Sequence, residues 1–127
     1  MTRRVRFAAP VFLLFTLAAC ALTRPATPPD TPQGLAASLT EVLRTAGDNR
    51  REITDFLSRY GHDPEMREAA FFLAANLPAA DRPRLSARDL SENLEYAFLA
   101  RRSLPWGRSV PWGLFLHYVL PHRVTQE

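Results

Sequence analysis

Lysine is absent from this chain: all sixteen basic side chains are arginine. Set beside the abundant alanine and proline, that pattern reflects a bias toward GC-rich codons rather than a binding adaptation. Cysteine occurs once, at Cys20, so no disulfide can close within the chain and no thiolate metal cluster can form. If Cys20 is modified, no thiol nucleophile remains. Glycine numbers only five, and none of it forms a phosphate-binding loop or a nucleophile elbow. Serines are plentiful enough that composition leaves a serine triad open. No stretch alternates with the period of a strand, and no repeat of constant length is present. The 127 residues suffice for one domain. The net charge of +3 is an N-terminal matter, because Arg3, Arg4 and Arg6 precede the first apolar run. Beyond them thirteen arginines face thirteen acids, which leaves no electrostatic footprint for phosphates and excludes nucleic acid as a partner.

What is present begins with a secretion signal. The three arginines are followed by an apolar core from Phe7 to Leu17, then by Ala18 and Ala19. Such a core fits the roughly 7–15 residues of a signal segment and falls short of the roughly 20 that span a bilayer. Leu17-Ala18-Ala19-Cys20 resembles the lipobox of bacterial lipoproteins, in which the cysteine becomes the lipid-bearing first residue. The resemblance implies residues 1–19 as signal peptide, Cys20 as the lipidated residue, and a lipid bilayer as its partner. The other reading is an ordinary signal peptide cut near Ala19 or Ala21. Either way the mature chain is expected outside the cytoplasm; with the lipid it is membrane-anchored, facing the periplasm in a Gram-negative cell. From 20 to 34, Pro25, Pro28, Pro29 and Pro32 forbid helix and ladder and predict an extended tether.

Residues 35–127 predict an all-α domain of four to five short helices. Leu35, Leu39, Val42, Leu43 and Ala46 share one face of a first helix that Gly47 can end. Asp48 is the expected N-cap of a second helix through Tyr60, with Arg50, Arg51, Glu52 and Asp55 outward and Gly61 at its C-cap. Asp63-Pro64-Glu65 combines a carboxylate cap, a first-turn proline and a first-turn acid, and so starts a third helix. That helix, to about Asn76, is apolar over more than half its circumference, which predicts burial on more than one side. Leu77-Pro78 stops it. Ser86 and Asp89 make a capping box for a fourth helix to about Arg102. Its stripe is Leu90, Leu94, Ala97, Phe98 and Arg101, with Asn93 and Tyr96 at its edges. Ser109 is the expected cap of a fifth helix that Pro121 ends.

Candidate chemistry is thin. His62 falls in a turn without a second ligand at helical spacing. His117 and His122 are five apart with Pro121 between them, so they do not share a face as a zinc pair would. Glu65/Glu68 and Glu92/Glu95 lie at i, i+3 on solvated faces, without a pocket for acid–base work. No metal and no cofactor is expected, and no catalytic residue is assigned. Trp106 and Trp112 suit core or interface packing; a lipid interface is a second reading, with Arg101, Arg102 and Arg108 beside them.

From Glu92-Asn93-Leu94-Glu95-Tyr96-Ala97-Phe98 through Pro105-Trp106 to Phe115-Leu116-His117-Tyr118-Val119-Leu120-Pro121-His122-Arg123-Val124, the chain resembles the helical lead-in of bacterial transglutaminase-like proteins. Asp63-Pro64 and Glu68 to Pro78 look like the same lead-in, so the likeness covers about residues 48–127. His122 stands where that family more often has tyrosine. In the family this region precedes a papain-like core with a Cys-His-Asp triad, and no position here matches the triad. The resemblance implies a non-catalytic lead-in whose aromatic end packs against such a core. Trp106, Trp112, Phe115, Tyr118, Leu120 and Arg123 are the expected docking face. The alternative is a stand-alone envelope adaptor lipoprotein that uses the same face to bind another protein.

Overall fold

The computed structural model describes residues 31–32 and 34–121, and every regular element among them is helical. The signal segment, Cys20, most of the tether, His122 and Arg123 lie outside the described residues. The helices are α1 (Ala36–Thr45), α2 (Arg50–Ser58), α3 (Pro64–Ala75), α4 (Ala87–Ser103) and α5 (Trp112–Leu114), the last running straight into a π-helical turn at Phe115–Val119. Short 3₁₀ turns at Gly47–Asn49 and Gly107–Ser109 precede α2 and α5.

Two of the helix starts follow from side-chain oxygens. The Asp63 carboxylate accepts from the N–H groups of Glu65 (3.0 Å) and Met66 (3.1 Å), and Pro64 supplies a first position that needs no donor. Ser86 and Asp89 form the reciprocal box: the Asp89 N–H donates to the Ser86 hydroxyl (3.1 Å) and the Ser86 N–H to the Asp89 carboxylate (3.1 Å). Gly47 sits just past α1 at φ +58°, the left-handed conformation that closes a helix.

Three local expectations are corrected by the structure. Asp48 is not the cap of α2; it lies inside the 3₁₀ turn, and Asn49 takes the cap position without bonding to the helix. The Asn49 amide reaches across the fold and donates to the carbonyls of Arg82 and Leu85, both at 2.8 Å. Arg82 completes the clasp, donating to the Leu77 carbonyl (2.9 Å) and the Thr45 hydroxyl (2.9 Å). Glu52 does not face solvent: its carboxylate accepts from the Ala87 N–H (2.8 Å), so α2 caps the positive end of α4. Gly61 has no left-handed φ, and α2 ends at Ser58 with Arg59 as its C-cap.

The α3 helix is the centre of the packing. Ala69, Ala70, Phe71, Leu73, Ala74 and Ala75 are all buried, and α1, α2, α4 and the C-terminal turn pack around it. Four of those six are alanines, which let the neighbouring backbones approach closely. Leu39, Leu43, Ile53, Phe56, Leu90, Leu94 and Phe98 close over them in one continuous core. Along the α2–α4 seam, Arg59 donates to the Ser91 hydroxyl (3.2 Å) and the Tyr60 hydroxyl to Glu95 (3.0 Å); burial raises the Tyr60 phenol above its ordinary range.

Replacing Asn49 with alanine removes both bonds to the 78–85 connection and leaves two partly buried carbonyls without them. The expected loss is about 1–3 kcal/mol. A lower urea midpoint with an unchanged slope checks it; an unchanged midpoint contradicts the clasp.

Candidate functional site

The C-terminal segment is shaped by how α4 ends. Leu104 precedes Pro105, which disfavours the α conformation, and it turns extended at φ −86°, ψ 141°. Its N–H still donates to the Ala100 carbonyl (3.0 Å). The chain then folds back over the helix end, and the Gly107 N–H closes the turn on the Leu104 carbonyl (2.9 Å). Gly107 is buried against the last carbonyls of α4. A Cβ there would meet the Arg101 carbonyl carbon at 2.7 Å and the Ala100 oxygen at 2.8 Å, with the Arg101 oxygen nearer still. Only glycine fits that approach.

Arg101 locks the returning chain. Its Nη1 donates to the carbonyls of Val110 (2.9 Å) and Gly107 (3.3 Å). The same guanidinium lies 5.4 Å from the Trp112 ring centroid and 5.0 Å from that of Phe115. Trp112 and Phe115 stack at 5.3 Å with 19° between planes, and Phe98 meets each edge-on. Ser109 does not cap this helix; it sits in the 3₁₀ turn, and Pro111 holds the cap position. At the far end the Leu120 N–H bonds to the Phe115 carbonyl (3.0 Å), a π-type step, and the Asn93 amide donates to the Leu120 carbonyl (2.8 Å).

This geometry divides the expected docking face. Phe115 is 1% exposed and Leu120 fully buried, so both belong to this domain's own core rather than to an interface. Trp112 is half-buried in the ring stack. Trp106 and Tyr118 are exposed, at 50% and 77%. Arg123 lies outside the described residues. The reason is helical period: Trp112, Phe115, Leu116, Val119 and Leu120 recur at three and four and turn inward, while Leu114, His117 and Tyr118 turn out. That i, i+3, i+4 pattern is written in the sequence and marks which of these residues share a side.

The remaining candidates stay apart. His62 is exposed in the turn between α2 and α3, and His117 lies edge-on to Phe72 at 4.9 Å. Glu92 is bonded to Arg88 (2.7 Å) and Glu95 to Tyr60, so neither carboxylate faces a shared cavity. Tyr96 is exposed rather than at the core's edge, whereas Asn93 is half-buried. Among the described residues no three of His, Cys, Asp and Glu could hold a metal ion. The apolar notch between Phe72, Leu77, Leu116, Leu120 and Pro121 has about 70 Å³, against the roughly 300–1,000 Å³ of a small-molecule site. A side chain fits it; a substrate does not. No described helix is long and apolar enough to cross a membrane. No family model matches the chain, and neither a curated protein nor a solved structure matches it.

Proposed function

We propose that this chain is a non-catalytic helical docking domain, held at the extracytoplasmic face of a membrane through Cys20, that binds a protein partner on the outer side of its C-terminal helix. The observation that carries the reading is the split of that helix. Its inner side is anchored by Phe115, Leu116 and Leu120, and its outer side offers Leu114 and Tyr118, four residues apart and exposed. A rigidly mounted tyrosine beside a leucine is a low-entropy anchor for another protein. The resemblance to the transglutaminase-like lead-in makes a transglutaminase-like core the expected partner. The adaptor reading draws support from the core: the aromatic segment finds its cover within this chain and needs no second domain to bury it.

Photo-crosslinking in the native envelope tests this, with the reactive residue placed at Tyr118 and, as control, at the exposed Asp55 on α2. A discrete adduct from Tyr118 alone, with a protein carrying a transglutaminase-like core, is expected. An adduct with an unrelated envelope protein keeps the docking reading and removes the transglutaminase-like partner. Identical patterns from both positions overturn docking.

A further inference from the structure

The turn that leads into α5 has a different character from the Leu114–Tyr118 side. Leu104 and Trp106 are both large, apolar and exposed there, two residues apart. The residues that flank them in sequence, Arg101, Arg102 and Arg108, line a cleft of about 350 Å³ together with the buried Phe98. Two carboxylates also face this region. Glu65 lines the cleft, and Asp63 pairs with Arg102 at 3.5 Å. Three guanidiniums against two carboxylates leave the cleft net positive. Arg101 is occupied by backbone carbonyls and rings, so it supplies field rather than contact. Arg102 pairs with Asp63 at 3.5 Å and lies 5.3 Å from the Phe98 ring centroid, leaving it on the exposed side of that ring, and the Arg108 side chain has no ion pair or hydrogen bond among the described residues.

We infer that residues 101–109 form the surface this domain lays on an anionic bilayer, Arg102 and Arg108 meeting lipid phosphates while Trp106 and Leu104 enter the headgroup layer. Tryptophan and arginine side by side fit that layer, one with an amphipathic ring and the other with donors for phosphate. The turn's backbone is held by the Gly107 and Ser109 N–H bonds and by Arg101, so presenting Trp106 costs little backbone ordering. A patch of this size does not recruit a free chain. Its effect is to orient a domain that the lipid already keeps at the membrane, where the short tether makes a weak second contact effectively intramolecular. The inference therefore rests on the tethered reading of Cys20, and goes beyond the protein-docking side at Tyr118.

The test uses the mature lipidated chain from Cys20, purified from the envelope, with Trp112→Phe, which leaves Trp106 as the one tryptophan. It is mixed with phosphatidylglycerol or phosphatidylcholine vesicles whose acyl chains are brominated. Flotation reports the anchor; quenching of Trp106 reports the turn. With phosphatidylglycerol, Trp106 is expected to shift to the blue and to be quenched about twofold, with most of the effect lost in Arg102→Gln/Arg108→Gln or in about 0.5 M salt. Flotation with Trp106 unquenched keeps the anchor and overturns the inference, assigning the turn to a protein partner. Equal quenching by both lipids overturns the role of the arginines. Neither flotation nor quenching overturns the anchor and the surface together. Should Trp112→Phe fail to fold by circular dichroism, Trp106→Phe in the otherwise native chain reads the same quantity as the quenching that disappears.

Discussion

Gly107→Ala loosens the whole C-terminal third of the domain, at an expected cost of about 2–3 kcal/mol. The new methyl meets carbonyl groups of Ala100 and Arg101, which are the last turn of α4 and cannot swing aside as a flexible side chain would. The conflict is one of space and not of backbone conformation, because Gly107 has no left-handed φ. To make room, the turn must lift from the helix, and lifting it breaks the Leu104–Gly107 bond and draws Val110 away from Arg101. Gly113 is the internal control. It lies in α5, and a methyl added there would have nothing within 4 Å, so Gly113→Ala is expected to be neutral or to stabilise by up to about 1 kcal/mol. Urea midpoints of the two variants, followed by tryptophan emission, should separate, with Gly107→Ala below the parent and Gly113→Ala at or above it. Equal midpoints would mean that the close approach at Gly107 is not what holds the segment.

Phe115→Ala is expected to cost about 3–5 kcal/mol. The ring is stacked on Trp112, met edge-on by Phe98 and covered by Arg101, so its removal opens a void that none of these can fill without leaving its other partners. Small domains are stable by only about 5–15 kcal/mol, and such a loss leaves a substantial unfolded fraction at physiological temperature. Tyr118→Ala, three positions on, is expected within about 0.5 kcal/mol of the parent because the side chain is largely in solvent. The pair separates two roles that the expected docking face had joined. A Phe115→Ala chain that melts like the parent yet loses a partner would return Phe115 to the interface.

The starts of α3 and α4 were legible because caps are local chemistry. Asp63-Pro64 and Ser86…Asp89 need only their own next three residues to satisfy orphan N–H groups, and they do so here at 3.0–3.1 Å. The burial of α3 on several sides was legible for a related reason: a helix with apolar residues most of the way round has no face to give to water. Asn49 and Glu52 were not legible. Each looks like a solvated first-turn residue, and each finds its partner more than thirty positions away. Asp48 lost the cap position because Gly47–Asn49 tightened into a 3₁₀ turn that freed Asn49 for the 78–85 connection.

The C-terminal segment shows where the boundary falls. Composition and period alone determined an all-α domain and a last helix, rich in apolar and aromatic residues, between the prolines at 105 and 121, because torsional and spacing constraints act within a few residues. Whether that helix meets this chain's own core or another protein's surface is a question of what lies opposite. Only the tertiary structure answered it, by bringing Phe98, Arg101 and Asn93 of α4 against Trp112, Phe115 and Leu120. Burial depends on distance in space, and distance in space is not a property of any one segment.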